Sequence, residues 1–123
     1  MRLVTHNMLM CNKKGVVKGF PLSLTTTKVE EIETDFNLGF LTTLLSKMDY
    51  PVLISAISQV FPDETSKHLP LEYDIKDENT MQKIHHALFE VHVIEGLLTC
   101  PESGRQFIIK DGIPNMLLRE DEV

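Results

Sequence analysis

Cys100-Pro101-Glu102-Ser103-Gly104-Arg105, set between the apolar runs Leu97-Leu98 and Phe107-Ile108-Ile109, has the form of a metal-binding knuckle at the tip of a short hairpin. A structural zinc ion needs about four thiolate or imidazole ligands, usually delivered as two closely spaced pairs. Only two cysteines occur in the 123 residues, Cys11 and Cys100. Val16 and Ser103 stand where each would find its partner, and neither a valine nor a neutral hydroxyl has a thiolate's donor power. The residues therefore predict the outline of a zinc ribbon with a degenerate site. Zinc is not expected, and the two cysteines read as buried, reduced thiols. If the two knuckles face each other a disulfide is geometrically open, although a reducing compartment argues against its persistence.

Other chemistry finds little footing. His85 and His86 are adjacent, so on a helix they point about 100° apart and cannot grip one ion. His92 follows seven residues after His85 without a His-Glu-x-x-His pattern. These histidines read as helix-surface or packed side chains. His6 near Cys11 is a weak signal for a base and a nucleophile. No Gly-x-Ser-x-Gly elbow, phosphate-binding glycine loop or dinucleotide fingerprint is present, so no catalytic residue is assigned.

The charge balance narrows the partners. Twelve basic and 18 acidic side chains give a formal net charge of −6, which repels polyphosphates at long range. A ribbon-type nucleic-acid adaptor using Lys13, Lys14 and Lys18 is the second reading, built on a modest basic patch. No charged-then-apolar leader and no 18-residue apolar run is found, so no membrane role is expected. Too few cysteines for a disulfide framework suggest a reducing, intracellular setting.

The elements that must carry these residues are nested. Phe36, Phe40, Leu41, Leu44, Leu45 and Met48 form a helical stripe that Asp35 or Asn37 could cap. Asp49 before Tyr50-Pro51 starts a second helix, with Leu53, Ala56, Ile57 and Val60 on one face and Pro62 ending it. After a polar loop to Lys76, Asp77 or Asn79 could cap a third helix bearing Met81, Ile84, Leu88 and Val91. On either side lie short strands, at Phe20–Leu24 and Lys28–Glu33 around Thr25-Thr26-Thr27, and from residue 93 to 118. Gly15 and Gly19 bracket Val16-Val17 and permit tight turns near Cys11. The expected class is α+β: a small antiparallel sheet of ribbon type built from residues 1–33 and 92–123, with a three-helix domain, 34–91, inserted.

Apolar segments at both ends remain to be placed. Met8-Leu9-Met10 and Ile113-Pro114-Asn115-Met116-Leu117-Leu118 read as extended, and a small sheet has little room to bury both faces of both. Either they pack beneath the helices, or they leave an apolar edge to which another protein's strand could add.

Taken in order, Met1-Arg2-Leu3-Val4-Thr5-His6-Asn7-Met8-Leu9, Gly19-Phe20-Pro21-Leu22, His85-His86-Ala87-Leu88, Glu95-Gly96, Cys100–Arg105 and Gly112–Leu118 resemble the small eukaryotic activator subunit shared by several methyltransferases. The resemblance spans nearly the whole chain. It implies a zinc-ribbon-like domain made from both chain ends with a helical insertion, in agreement with the periodicity. It further implies a non-catalytic heterodimer partner of class I S-adenosylmethionine-dependent methyltransferases that modify tRNA, ribosomal RNA and a translation release factor. The partner would hold S-adenosylmethionine, RNA would be met only through it, and the complex would work in cytoplasm and nucleus. Fungal-type members bind zinc through four cysteines, of which Cys11 and Cys100 alone have counterparts here. By the family's pattern the contact comprises Thr5, Asn7, Met8, Leu9 and Phe20 beside Ile113, Pro114, Asn115, Met116 and Leu117.

Overall fold

The chain enters on a single helical turn, α1 (Leu3–His6), in the computed structural model, which describes residues 1–122. The sequence predicts no helix before residue 35, and this turn adds one: Leu3 and His6 are both buried, and His6 Nε2 is hydrogen-bonded to the Leu22 carbonyl at 2.7 Å. Burial of one side of the turn outweighs the weak local preference of a short segment. Beyond a cis Phe20–Pro21 bond the chain becomes β1 (Ser23–Glu31). One continuous strand thus replaces the two short ones expected. Thr25-Thr26-Thr27, read from sequence as a separating turn, is β-branched and suits a strand, and the ladder absorbs two register shifts between Thr26 and Val29.

Each of the three longer helices opens on a side-chain oxygen that satisfies an amide lacking a helical partner. Asn37 Oδ1 accepts from Phe40 N at 2.9 Å ahead of α2 (Leu38–Leu45). Asp49 Oδ1 accepts from Val52 N at 3.2 Å ahead of α3 (Tyr50–Val60), with Pro51 in the first turn. Asp77 Oδ1 accepts from Thr80 N at 3.3 Å ahead of α4 (Glu78–His85). Asn37 therefore excludes Asp35 as the first cap, and Asp77 excludes Asn79 as the third. Phe36 precedes α2, and Phe40 is 59% exposed, so neither joins the buried stripe formed by Leu41 and Leu45. The third helix also ends early. His86–Glu90 is a wider π turn, and Val91 begins β2 (Val91–Thr99), still buried but now as a strand residue.

The sheet has four antiparallel strands in the order β1-β2-β3-β4, closed by β3 (Gln106–Lys110) and the two-residue β4 (Ile113–Pro114). Asp111 and Gly112 join the last two with φ of 53° and 77°, the two-residue hairpin turn that matches strand twist and that Gly112 makes inexpensive. Cross-strand partners Leu24, Leu98 and Phe107 are buried together on one face. Leu41, Leu53, Ile57, Ile84 and Leu88 from the helical segment join them in a single hydrophobic cluster. In chain order, α2, α3 and α4 lie between β1 and β2. No single helix among the described residues is long and apolar enough to cross a membrane.

Candidate partner interface

Alternation along β3 sets the outer surface of the sheet. Phe107 and Ile109 point into the core, while Gln106, Ile108 and Lys110 point out, leaving Ile108 61% exposed. Its cross-strand neighbour Leu97 is half-buried on the same open face, opposite Thr25. With Thr27, Glu95 and Lys110 these residues line a shallow concavity of about 320 Å³. Ile113, opposite Lys110, extends this apolar surface to the β4 edge and is 70% exposed.

The two edges of the sheet are treated differently. On β1, the Leu24 amide donates to Gln59 Oε1 of α3 at 2.7 Å, so a side chain covers part of that edge. On β4, strand pairing runs to β3 alone among the described residues. Asn115 N donates inward to the Ile108 carbonyl at 2.9 Å, so the Pro114 carbonyl across the same trans peptide points away from the sheet. Pro114 itself brings no amide, as edge strands tolerate. Beyond it exposure alternates: Asn115 exposed, Met116 half-buried against the core, Leu117 80% exposed. An extended segment with one apolar side outward continues the edge.

The five C-terminal members of the expected contact set, Ile113, Pro114, Asn115, Met116 and Leu117, thus follow one another along this edge. The N-terminal members are placed otherwise. Thr5 is half-buried on α1; Met8, in the turn after it, is 67% exposed; Leu9 and Phe20 are half-buried. Asn7 is 7% exposed and fully engaged within the chain, its Nδ2 donating to the Asp49 carbonyl at 2.7 Å and its Oδ1 accepting from Asp49 N at 3.0 Å. It ties the turn carrying Met8 to the start of α3.

Below the edge lie the two cysteine segments. Cys100 and Cys11 are each 2% exposed. The Cys100 turn closes by Cys100 N donating to the Arg105 carbonyl at 2.8 Å and Gly104 N to the Cys100 carbonyl at 3.0 Å. Cys11 N donates to the Gly19 carbonyl at 2.9 Å, and a Cβ at Gly19 would collide with the Cys11 carbonyl, so glycine is required there. Burial pushes the Cys11 thiol up, and the neighbouring Cys100 adds to the shift. Burial also opposes ionisation of Cys100, but hydrogen bonds from Ser103 and Glu102 outweigh it and hold its thiol below the ordinary range.

Two thiols are half a tetrahedral set. Ser103 donates its amide to Cys100 Sγ at 3.4 Å, and its hydroxyl oxygen accepts from Arg105 N at 3.3 Å. Among the described residues no group of three or more His, Cys, Asp or Glu side chains is placed to hold a metal ion. The residues present do not fit a structural zinc ion. Other links join the two segments instead. The Glu102 carboxylate accepts from Val17 N at 2.9 Å and Lys18 N at 3.3 Å. Arg105 Nε donates to Glu122 at 2.7 Å, and Lys14 N donates to the Glu122 carbonyl at 2.6 Å. The Arg105 guanidinium, with amide donation from Arg119, holds the 2%-exposed Glu122 carboxyl down at about 2.

The histidines have structural partners. His6 donates Nε2–H to a carbonyl, and burial lowers its affinity for a proton. His85 Nε2 meets Thr34 Oγ1 at 3.0 Å, and His86 lies between Glu31 and Glu90, at 2.8 Å from each. Ile108 and the Glu122 clamp were missed in the sequence. The period-two pattern of Gln106–Lys110 was the available signal for Ile108, whereas nothing local marks Glu122 within an acidic tail.

Comparison with known proteins gives this geometry a setting. The family model described as Trm112p-like protein matches residues 2–112. The chain is 47% identical over 124 residues to the multifunctional methyltransferase subunit TRM112 homolog A of Arabidopsis thaliana, with 100% of both chains covered. It is 43% identical to the TRM112-like methyltransferase subunit of Mus musculus, over 99% of this chain and 98% of that one. In fold it is similar to a chain of the solved E. cuniculi Mtq2-Trm112 complex, with a TM-score of 0.58 and 21% identity over 95% of each chain. That complex is described as responsible for methylation of the eRF1 translation termination factor. With a family model covering nearly the whole length and full-length relatives well above 30% identity, the chain belongs to the Trm112p-like protein family.

Proposed function

We propose that this chain is the non-catalytic, activating and stabilising subunit of class I S-adenosylmethionine-dependent methyltransferases acting on tRNA, rRNA and a translation release factor. The open β4 edge carries the reading: its outward carbonyl and the exposed Ile113 and Leu117 side chains are what a catalytic chain's strand would need to extend the sheet. Backbone hydrogen bonds and generic apolar contact demand no particular partner sequence, so one edge serves several enzymes as alternative heterodimers. Occupation of that edge favours the folded state of the catalytic chain by mass action. Thr5, Met8, Leu9 and Phe20 join Ile113, Pro114, Asn115, Met116 and Leu117 in the contact, and Asn7 positions Met8 from behind.

The catalytic chain supplies the S-adenosylmethionine site and the substrate site. This chain binds neither cofactor nor zinc, meets RNA only through its partner, and works wherever those enzymes do, in cytoplasm and nucleus. An independent nucleic-acid adaptor is not favoured: the net charge is −6, and curated relatives are named as methyltransferase subunits. Co-expression tests the proposal. A class I methyltransferase produced with this chain should be soluble and active, the same enzyme alone should aggregate or lose activity, and this chain alone should transfer no methyl group from labelled S-adenosylmethionine. Equal activity with and without the chain would overturn it.

A further inference from the structure

Phe36 and Phe40, spaced to be buried on a helical stripe, are 37% and 59% exposed. They do not stand alone. Phe40 leans on Phe89 with ring centroids 5.9 Å apart, Phe89 on His85 at 5.4 Å, and His85 meets Phe36 edge-on at 5.4 Å. Phe40, Phe89 and His85 line a groove of about 330 Å³ with Thr34, Asp35 and Asn37, and Phe36 supports His85 from outside it. Its wall is fixed by hydrogen bonds: Thr34 N donates to Glu90 at 2.7 Å and Thr34 Oγ1 pairs with His85. Unpaired aromatic area of this kind on a folded surface marks a contact site.

Charge around the groove selects the occupant. Asp35 lines the groove, and Glu33 is exposed two residues before it. A second hollow of about 350 Å³ is lined by Glu31, Glu33, His86 and Glu90, where Glu31 is paired with Lys67 and His86 but Glu33 stays unpaired among the described residues. Arg2 is the only cation lining the groove among the described residues. Such a rim repels phosphate, and a wholly apolar occupant would strip water from carboxylates without return. A cationic occupant with an apolar foot satisfies both surfaces, because lysine and arginine stems cover aromatic area while their charges stay at the rim.

We propose that this groove docks a lysine- or arginine-rich segment of another protein. One aliphatic or aromatic anchor of that segment seats on the exposed side of the Phe40–Phe89 pair, and its cations meet Asp35 and Glu33. None of the residues lining the groove belongs to the methyltransferase contact proposed above, so the inference does not rest on that reading.

The test uses the full chain and a fluorescently labelled short peptide of alternating lysine and leucine, read by anisotropy. Copies with glutamate for lysine, or serine for leucine, are the controls. Saturable binding of the lysine-leucine peptide alone is expected, weakened about tenfold or more by Phe40→Ser and by Asp35→Lys, as truncation of a central anchor gives. Both positions are exposed, and circular dichroism checks that the variants stay folded. Ile113→Asp should leave this binding unchanged while removing the methyltransferase, which separates the two assignments. No binding, binding indifferent to Phe40 and Asp35, saturable binding of labelled single-stranded RNA to the chain that Phe40→Ser abolishes, or self-association abolished by Phe40→Ser would each overturn the proposal, the last naming a second copy as the occupant.

Discussion

Replacing Ile113 by aspartate discriminates between an edge that serves the fold and one that serves a partner. Ile113 is 70% exposed, so only about a third of its surface is buried within the chain. Loss of that share, set against a turn that keeps Asp111 and Gly112, should change the stability of the isolated chain by no more than about 1 kcal/mol, as surface substitutions do. In a complex the remaining two-thirds is available for burial, worth roughly 1–2 kcal/mol of the 1.5–3 expected for a whole aliphatic side chain. A carboxylate placed there adds a desolvation cost of at least about 2 kcal/mol. The sum, about 3–4 kcal/mol, corresponds to a loss of affinity on the order of 200- to 1000-fold. Leu117→Asp, at 80% exposure, should behave alike. Met116→Asp is the poorer probe, because Met116 packs against the core and its loss would weaken fold and contact together. Competition of each variant against labelled wild-type chain for a co-expressed methyltransferase, beside thermal melts of the free variants, measures both quantities. Unchanged affinity in folded Ile113→Asp and Leu117→Asp would refute the edge assignment.

Three further outcomes follow from the links behind the edge. Removing the Asn7 carboxamide with Asn7→Ala leaves the Asp49 amide without its partner and the Asp49 carbonyl with the Leu53 amide alone, and should cost about 1–2 kcal/mol, read as a fall in Tm of roughly 3–10 °C. Glu122 has a folded pKa of about 2 against an ordinary 4.5, so its contribution is complete above pH 4.5 and is lost as pH falls toward 2. The protection factor of the Lys14 amide, its exchange rate referred to the intrinsic rate at each pH, should therefore fall as pH drops through that window in the wild type, and already at pH 7 in Glu122→Gln. Zinc chelation should leave Tm unchanged, and elemental analysis of purified chain should find far less than one zinc per molecule; a stoichiometric metal would show that the two thiols recruit donors not apparent from their surroundings.

Much of the fold was legible because its signals are local. Asp49 and Asp77 announce their helices through caps followed by apolar residues at helical spacing, and Cys100–Arg105 between two apolar runs announces a hairpin. Failures occurred where a distant partner decides the outcome. Thr25-Thr26-Thr27 is strand because β2 lies alongside it, and α1 forms because His6 reaches Leu22. Helical spacing in Phe36 and Phe40 was real, but those rings gather on a surface instead of the core. Of the contact set, the run from Ile113 to Leu117 could be seen as apolar and extended from sequence, whereas the burial of Asn7 depends on Asp49, 42 residues away.

The occurrence of only two cysteines across these segments and the presence of Glu102, Arg105 and Glu122 belong to one physical solution. A tetrahedral metal would hold the Cys11 and Cys100 segments together through four bonds at one point. Here the same segments are joined at three separate places: Glu102 on the amides of Val17 and Lys18, Glu122 between Arg105 and Lys14, and two thiols packed between them. Each ionic link alone is weak where exposed, but Glu122 is nearly inaccessible and receives donors from Arg105 and Arg119 together, the geometry in which a carboxylate holds its charge against burial. The tail that supplies Glu122 is also the continuation of the Ile113–Leu117 edge, and Arg105 reaches the Leu117 carbonyl at 3.4 Å. Rigidity of the edge is thereby tied to the knuckles by side chains, so a partner would meet a strand already held in extended form and lose less entropy on binding it.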